Sequence, residues 1–313
     1  MKQRQVIAPN SKDEPVAQTE SDQVLARKAI RSYSESRTGK PKKRYPACSC
    51  KTMGIVTNKL EHVEARLNYS TDSDASQKSV PIYDARAVLD QLSLEHQGFI
   101  LRRHKTAVTN FFDEKEVRAV YYLEVEQLLT ATTGAARAVA FEHDVRSASN
   151  AERAAKGVRQ PVRVVHDDYT EKSAPERVRL YLPQEAEGLL KERYAVINVW
   201  RPIRGPVLDT PLAVCDAKSI AAADLIPTEE GVKHEIYLFD FNPNHSWYYF
   251  SAMTTSEVLL FKCFDSNKYS QARVTAHTAF DLPEKSVPAQ ARQSIEVRAL
   301  VFFPRAATIA RQS

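Results

Sequence analysis

Residues 163–169 read RVVHDDY, and the layout of this heptapeptide decides what the rest of the chain has to build. As a β-strand its side chains alternate, so Val164, His166 and Asp168 share one face and Asp167 takes the other. His166 and Asp168 can then close on one ion, whereas the adjacent His166 and Asp167 cannot easily do so. A second histidine would complete a two-histidine, one-carboxylate set, which holds non-haem Fe(II) with open positions.

Eight histidines are present, and two begin an H-x-D/E triplet. The first, His62-Val63-Glu64, precedes every strand of the β-rich half. Read as helix, its side chains diverge, which makes it a solvated surface. The second is His166-Asp167-Asp168. In RVTAHTAF, roughly 110 residues further on, His277 stands between Ala276 and Thr278 in a β-prone context. His245, in NPNHSWYYF, is a rival that reads as a turn residue or pocket wall. His104 and His143 read as ordinary packed or surface residues. Beyond His277 comes ARQSIEVRALVFF. As a strand it puts Arg292, Ser294, Glu296 and Arg298 on one face and Ile295, Val297, Ala299 and Val301 on the other. A polar inner face of this kind suits a barrel that binds an anion. Arginine's planar fork matches a carboxylate, and the serine hydroxyl two residues on adds a hydrogen bond. A hydrolytic zinc site could use the same His/His/Asp set. The Arg-x-Ser pair favours iron with an oxoacid cosubstrate.

The composition narrows the classes further. A chain of 313 residues that is 43% hydrophobic can bury a sizeable core. No stretch is long and apolar enough to span a bilayer, and the start MKQRQVIAPNSKDEPVAQTE lacks a secretory core, so a cytoplasmic protein is expected. Four cysteines fit a reduced compartment, and the C-x-C pair Cys48/Cys50 has no second pair with zinc spacing. The net charge of +5 is concentrated at the front, where residues 1–45 carry eleven Lys/Arg and five Asp/Glu. That segment is expected to be a disordered basic tail. The body has no basic stripe with interleaved aromatics, so the partner is expected to be a small molecule rather than nucleic acid or membrane. Oligomeric state, monomer or homodimer, is left open.

After the tail, YDARAVLDQLSLEHQG carries Val88, Leu89 and Leu92 at helical spacing and stops at Gly98. FFDEKEVRAVYYLEVEQLLTATTG predicts the clearest helix, with a capping box at Asp113 and Glu116 and a stop at Gly134. A strand, RAVAFEHDV, follows, and RSASNAERAAKGVRQP reads as a surface loop. From residue 163 short β-like runs dominate, interrupted by one helix near APERVRLYLPQEAEGLLKERY. Many short strands separated by turn residues predict an α+β chain whose core is a sandwich or barrel. Residues 46–313 are expected to be a single domain, with a helical/β part over 46–150 backing a β-barrel over 151–313.

HDDYT…AxxR, NVWRPIRGPVLDTPLAVCDAKSI, HSWYYFSAMTTSEVLLFKCFDS, AHTAFDLP and RQSIEVRALVFF, in this order, resemble the fungal hydroxylase/desaturase family of secondary-metabolite clusters. That family groups gibberellin-desaturase-like and cephem-methoxylase-like proteins, and the segment TGAARAVAFEHDVR also fits it. The resemblance covers roughly residues 98–304. It implies a double-stranded β-helix, a jelly-roll or cupin-like barrel with flanking helices, and a dioxygenase that uses Fe(II), 2-oxoglutarate and O2. Its H-x-D…H pattern falls on His166, Asp168 and His277. Its arginine block falls on Arg292 with Ser294; the spacing from His277 exceeds the about ten residues of other branches, so Arg298 stays a second anchor candidate. Decarboxylation of the cosubstrate would give succinate, CO2 and an iron(IV)-oxo species that takes a substrate hydrogen, ending in hydroxylation, desaturation or cyclisation. Arg201 and Arg204 are candidates for a substrate carboxylate, and Trp247 and Tyr248 for pocket walls. Three alternatives remain at this level: an iron-dependent oxidative cyclase without 2-oxoglutarate, a hydrolase or isomerase on the same triad, and a barrel that has lost catalysis.

Overall fold

The computed structural model describes residues 60–69, 77–228, 234–283 and 290–304. The basic segment 1–45 and the Cys48/Cys50 pair lie outside the described residues. Two sheets face one another. The larger is built from β1 (His62–Asn68), β2 (Gln77–Asp84), β5 (His166–Asp167), β7 (Leu212–Cys215), β8 (Leu225–Pro227), β9 (Tyr237–Phe239), β10 (Trp247–Tyr249) and β12 (His277–Ala279). Its spatial order is β1-β2-β10-β7-β12-β5-β9-β8. The smaller holds β3 (Phe99–Arg103), β4 (Arg137–Ser147), β6 (Tyr194–Arg204), β11 (Glu257–Asp265) and β13 (Gln293–Phe302), ordered β3-β11-β6-β13-β4. The expected β-runs all form strands, in a jelly-roll double-stranded β-helix.

Strand β13 shows why the smaller sheet faces as it does. Ile295, Val297, Ala299 and Val301 are fully buried in the main core with Tyr121, Val125 and Leu129 of the overlying helix. Arg292, Ser294, Glu296 and Arg298 turn to the opposite face and line the interior cavity. A period of two, with one apolar and one polar face, is what lets a strand cover a core and build a site at once. A second core lies on the larger sheet, around Leu67, Ile82, Ala213, Cys215, Trp247 and Phe280.

Several local expectations are corrected. Residues 60–147 contribute four strands, two to each sheet, as well as the helix. His62 and Glu64 lie on β1 rather than a helix. They share a face and approach to 3.7 Å on the exposed surface, so the solvated reading stands but its helical reason does not. Residues Ala85–Gln91 form a 3-10 helix broken at Val88, shorter than the periodicity suggested. The long helix starts as an α-turn at Glu114–Glu116, passes through a π-turn at Val117–Tyr121 and becomes α1 (Tyr122–Thr133). Asp113 caps it by accepting the amides of Lys115 and Glu116. Glu116 does not close the box; its carboxylate accepts from Thr109 and Asn110 instead. Gly134 ends α1 in the left-handed conformation, as its sequence position indicated. The segment read as a loop contains α2 (Asn150–Lys156), which Ser149 caps through the Glu152 amide and Gly157 terminates. The final helical stretch divides into α3 (Ser173–Tyr181) and α4 (Ala186–Leu189).

Gly98 is the tightest backbone position near the site. Its φ is +89°, and a Cβ there would collide with Thr275 Oγ1. Its carbonyl accepts from the Lys262 amide at 2.8 Å and from Thr275 Oγ1 at 3.3 Å, two residues before His277. Strain and collision should both act in Gly98→Ala, lowering the unfolding free energy in urea by about 1–3 kcal/mol.

Candidate active site

The candidate metal-ligand triplet, His166, Asp168 and His277, closes because of strand register. In the antiparallel pair β5–β12, His166 stands directly opposite His277, so both imidazoles emerge on the same face. Their ring centroids are 4.3 Å apart. Asp168, two residues after His166, keeps to that face, and its Oδ1 lies 3.6 Å from His166 Nε2. One donor atom from each of the three falls within 4.8 Å of the others. Asp167 points the other way, fully buried, where burial holds its carboxyl well above the usual carboxylate range.

Each donor is oriented by a further contact. His166 Nδ1 lies 2.8 Å from the Val164 carbonyl and His277 Nδ1 lies 3.1 Å from that of Thr275. A carbonyl only accepts, so Nδ1 carries the proton and Nε2 presents its lone pair. Burial, followed by the neighbouring His277, lowers His166 to about 4, and burial also lowers His277. Both rings are therefore neutral at pH 7. Asp168 Oδ2 accepts from Asn198 Nδ2 at 2.8 Å and from Arg298 Nε at 2.9 Å, which leaves Oδ1 for a metal. Burial alone would raise the Asp168 pKa, but Arg298 and the imidazoles outweigh it and hold the carboxylate ionised. Two neutral imidazoles and one ionised carboxylate, each with its far side fixed, fit a divalent first-row metal.

The triplet opens on a cavity of about 200 Å³. Arg292 enters it from the start of β13 and is 3% exposed. Its NH1 donates to the Thr210 carbonyl at 2.7 Å, and its guanidinium lies 5.3 Å from the Trp200 ring. Its Nε has no partner among the described residues. Burial, with Arg146 nearby, pulls its pKa down to about 9. A buried cation lacking a carboxylate partner is costly until an anion arrives, and this is the chemistry a dicarboxylate cosubstrate would complete. Ser294 lines the same wall. Arg298, the second anchor candidate, is already bonded to Asp168 and to Asp144 at 3.0 Å. It positions the carboxylate of the candidate triplet.

The four substrate candidates do not line the cavity. Arg201 falls on the outward face of β6, completely buried against Tyr121 and Phe111, where it donates to the carbonyls of His104 and Thr255. Arg204 pairs with Glu152 at 2.5 Å and with the Ala291 carbonyl. Trp247 sits in the second core and donates Nε1–H to Tyr69 at 2.8 Å. Tyr248 packs against the rings of Tyr83 and Phe99. His245 bridges Tyr69 and Asp224, both at 3.1 Å, so it is no rival ligand. His143 does line the cavity, bonded to Tyr122 and Glu114. The inward residues of β6 are Asn198 and Trp200. The signal for them was present, because an asparagine inside the apolar run YAVINVW must face a polar interior. Asp144, Arg146 and Arg177, also on the wall, carried no comparable pattern.

A jelly-roll barrel with this triplet and a buried arginine defines a class, the non-haem iron oxygenases. A family model described as an oxidoreductase/YMDC permease-like domain matches residues 48–302. The hydroxylase/desaturase efuI of Hormonema carpetanum is 34% identical over 263 residues, covering 76% of this chain and 86% of that one. The Fe(II)/2-oxoglutarate-dependent dioxygenase nvfI of Aspergillus novofumigatus is 33% identical over 260 residues, with 80% and 90% covered. A solved structure of the iron and alpha-ketoglutarate-dependent endoperoxidase NvfI superposes with a TM-score of 0.69 at 30% identity, over 79% of this chain and 99% of that one. The chain belongs to the hydroxylase/desaturase family of Fe(II)/2-oxoglutarate-dependent oxygenases.

Two outcomes follow from this geometry. Asn198→Leu removes one of the two donors on Asp168 Oδ2 and should weaken Fe(II) binding about 10–100-fold in equilibrium dialysis. With both imidazoles already neutral and Asp168 ionised, Fe(II) uptake at pH 7 should release almost no protons. Calorimetric enthalpies should then agree between buffers of different ionisation heat, and affinity should fall as pH drops below the ordinary histidine range and the imidazoles take up protons, His166 at about 4.

Proposed function

We propose that His166, Asp168 and His277 hold the Fe(II) and that Arg292, with Ser294, holds the far carboxylate of 2-oxoglutarate. The chain is a 2-oxoglutarate-dependent dioxygenase, an oxidoreductase that uses Fe(II), 2-oxoglutarate and O2. The observation that carries the residue assignment is that Arg292, buried without a carboxylate partner and with its Nε unbonded among the described residues, shares one cavity with the triplet. When bound, iron with the cosubstrate and O2 supplies the oxidising chemistry. The chain supplies position. Asn198 and Arg298 fix the carboxylate, the carbonyls of Val164 and Thr275 fix the rings, and Trp200 backs Arg292.

The substrate is a small secondary-metabolite intermediate, and its pose over the site decides among hydroxylation, desaturation and cyclisation. Residues 46–313 act as one catalytic domain in the cytoplasm, as a monomer or homodimer, without nucleic acid. Among the described residues no helix is long and apolar enough to cross a membrane.

An anaerobic titration with Fe(II) and then 2-oxoglutarate, followed by the visible metal-to-ligand charge-transfer band, tests the assignment. The band should form in the wild type and vanish in His166→Ala. In Arg292→Ala it should need at least about 30-fold more 2-oxoglutarate, equivalent to about 2 kcal/mol, with iron still bound. Unchanged 2-oxoglutarate affinity in that variant would reject Arg292 as the anchor.

A further inference from the structure

Five arginines line the cavity (Arg146, Arg159, Arg177, Arg292 and Arg298) against four carboxyl groups, those of Glu142, Asp144, Asp168 and Glu296. The distribution is uneven. Asp144 alone takes contacts from Arg298 at 3.0 Å, Arg146 at 3.1 Å and Arg159 at 3.4 Å. Asp168 is engaged by Arg298. Fe(II) and fully ionised 2-oxoglutarate carry opposite charges of equal size, so loading them leaves the cationic excess of the wall in place. The third component of the reaction, the substrate, meets that excess.

With Arg292 assigned to the cosubstrate, Arg177 is where the remaining excess is weakly satisfied. It projects from α3, and its side chain retains 12% of its exposure. Among the described residues its one polar contact is NH1 to Glu142 Oε1 at 3.4 Å, and that oxygen already accepts from Tyr181 at 2.6 Å. Its Nε is buried with no partner among the described residues. The Tyr169 ring, beside Asp168 in sequence, lies 5.8 Å from the guanidinium, within cation–π range. Glu142 is paired in register with Arg298, so Arg177 stands at the Arg298 end of β13 while Arg292 opens the other end. The cosubstrate assigned to Arg292 leaves the Arg177 end to the substrate. The remaining wall offers aliphatic and aromatic side chains, among them Val162, Leu212, Ile236 and Leu238.

We propose that Arg177 is a substrate-binding residue that pairs with an ionised oxygen acid, a carboxylate or enolate, on an otherwise apolar small molecule. The inference rests on the assignment of iron and 2-oxoglutarate made above. Buried pairing of arginine with a carboxylate is charge-assisted and bidentate, which favours an acid over its neutral isostere.

The test uses the whole protein loaded anaerobically with Fe(II) and saturating 2-oxoglutarate, so that Arg292 is occupied and the charge-transfer band reports an intact site. Two acid–amide pairs serve as probes: 3-phenylpropionate with 3-phenylpropanamide, and octanoate with octanamide. Binding is read by calorimetry, and the band is monitored so that displacement of 2-oxoglutarate is recognised. Each acid should bind at least about tenfold more tightly than its amide. Arg177→Met should abolish that preference while leaving 2-oxoglutarate affinity within about twofold, and Arg177→Lys should restore part of it. Equal binding of acids and amides, or a preference that survives Arg177→Met, overturns the proposal. So does the absence of acid binding up to about 10 mM, the range in which even weak ionic recognition is measurable. A wild type that forms no band at all defeats the iron and cosubstrate assignment instead, and is recognised before any probe is added.

Discussion

The site depends on one carboxylate that spans the interior. Asp168 follows β5 of the larger sheet, yet its Oδ2 is held by Asn198 on β6 and Arg298 on β13, both in the smaller sheet. The contact ties the two walls together at the point where the donor atoms converge. Breaking it would leave Arg298 buried opposite Asp144 and Glu296 with a different charge balance, and Asp168 free to rotate. Charges buried this way contribute less to net stability than to a single defined arrangement, because desolvation opposes most of their attraction. Here the defined arrangement is the one that matters, since it fixes Oδ2 and leaves Oδ1 facing the two imidazoles.

The histidines solve the same problem with backbone. Each ring is fixed by a carbonyl two residues earlier in the chain, Val164 for His166 and Thr275 for His277. The Thr275 side chain is in turn packed against Gly98, where a Cβ would collide with its hydroxyl. Local chain geometry, strand register and a glycine contact thus set a tautomer, and the tautomer sets which nitrogen faces the cavity.

Electrostatics divide the cavity wall by task. Arg298 is saturated by acids and acts on a ligand. Arg292 is buried without an acid partner, and burial weakens its hold on its own proton. Glu296, between them on the same face, is pushed up to about 7 by burial and by Asp168, which keeps it from cancelling Arg292 outright near neutral pH. Arg292 and Arg298, six residues apart in RQSIEVR, have different environments because the first meets Trp200 of β6 and the Thr210 carbonyl, and the second meets Asp144 of β4 and Asp168 after β5.

The sequence by itself determined the alternation of β13, the strand-rich second half and the pairing of His166 with Asp168. These are properties of residues two apart in an extended chain, and a period of two needs no tertiary information. It also marked His277, through context and order rather than contact. What only the tertiary structure decided is which alternating face turns inward and what waits there. Arg201 sits one residue from Trp200 on the cavity wall, and a one-residue difference in a strand exchanges cavity for core. The assignment of Arg298 to Asp168 required two strands 130 residues apart to meet, and no local pattern encodes that distance. The loop expected at residues 146–161 contains the helix Asn150–Lys156 for the opposite reason. Its Ser149 cap and Gly157 stop are local signals, there to be read, and were masked by the polarity of the residues between them.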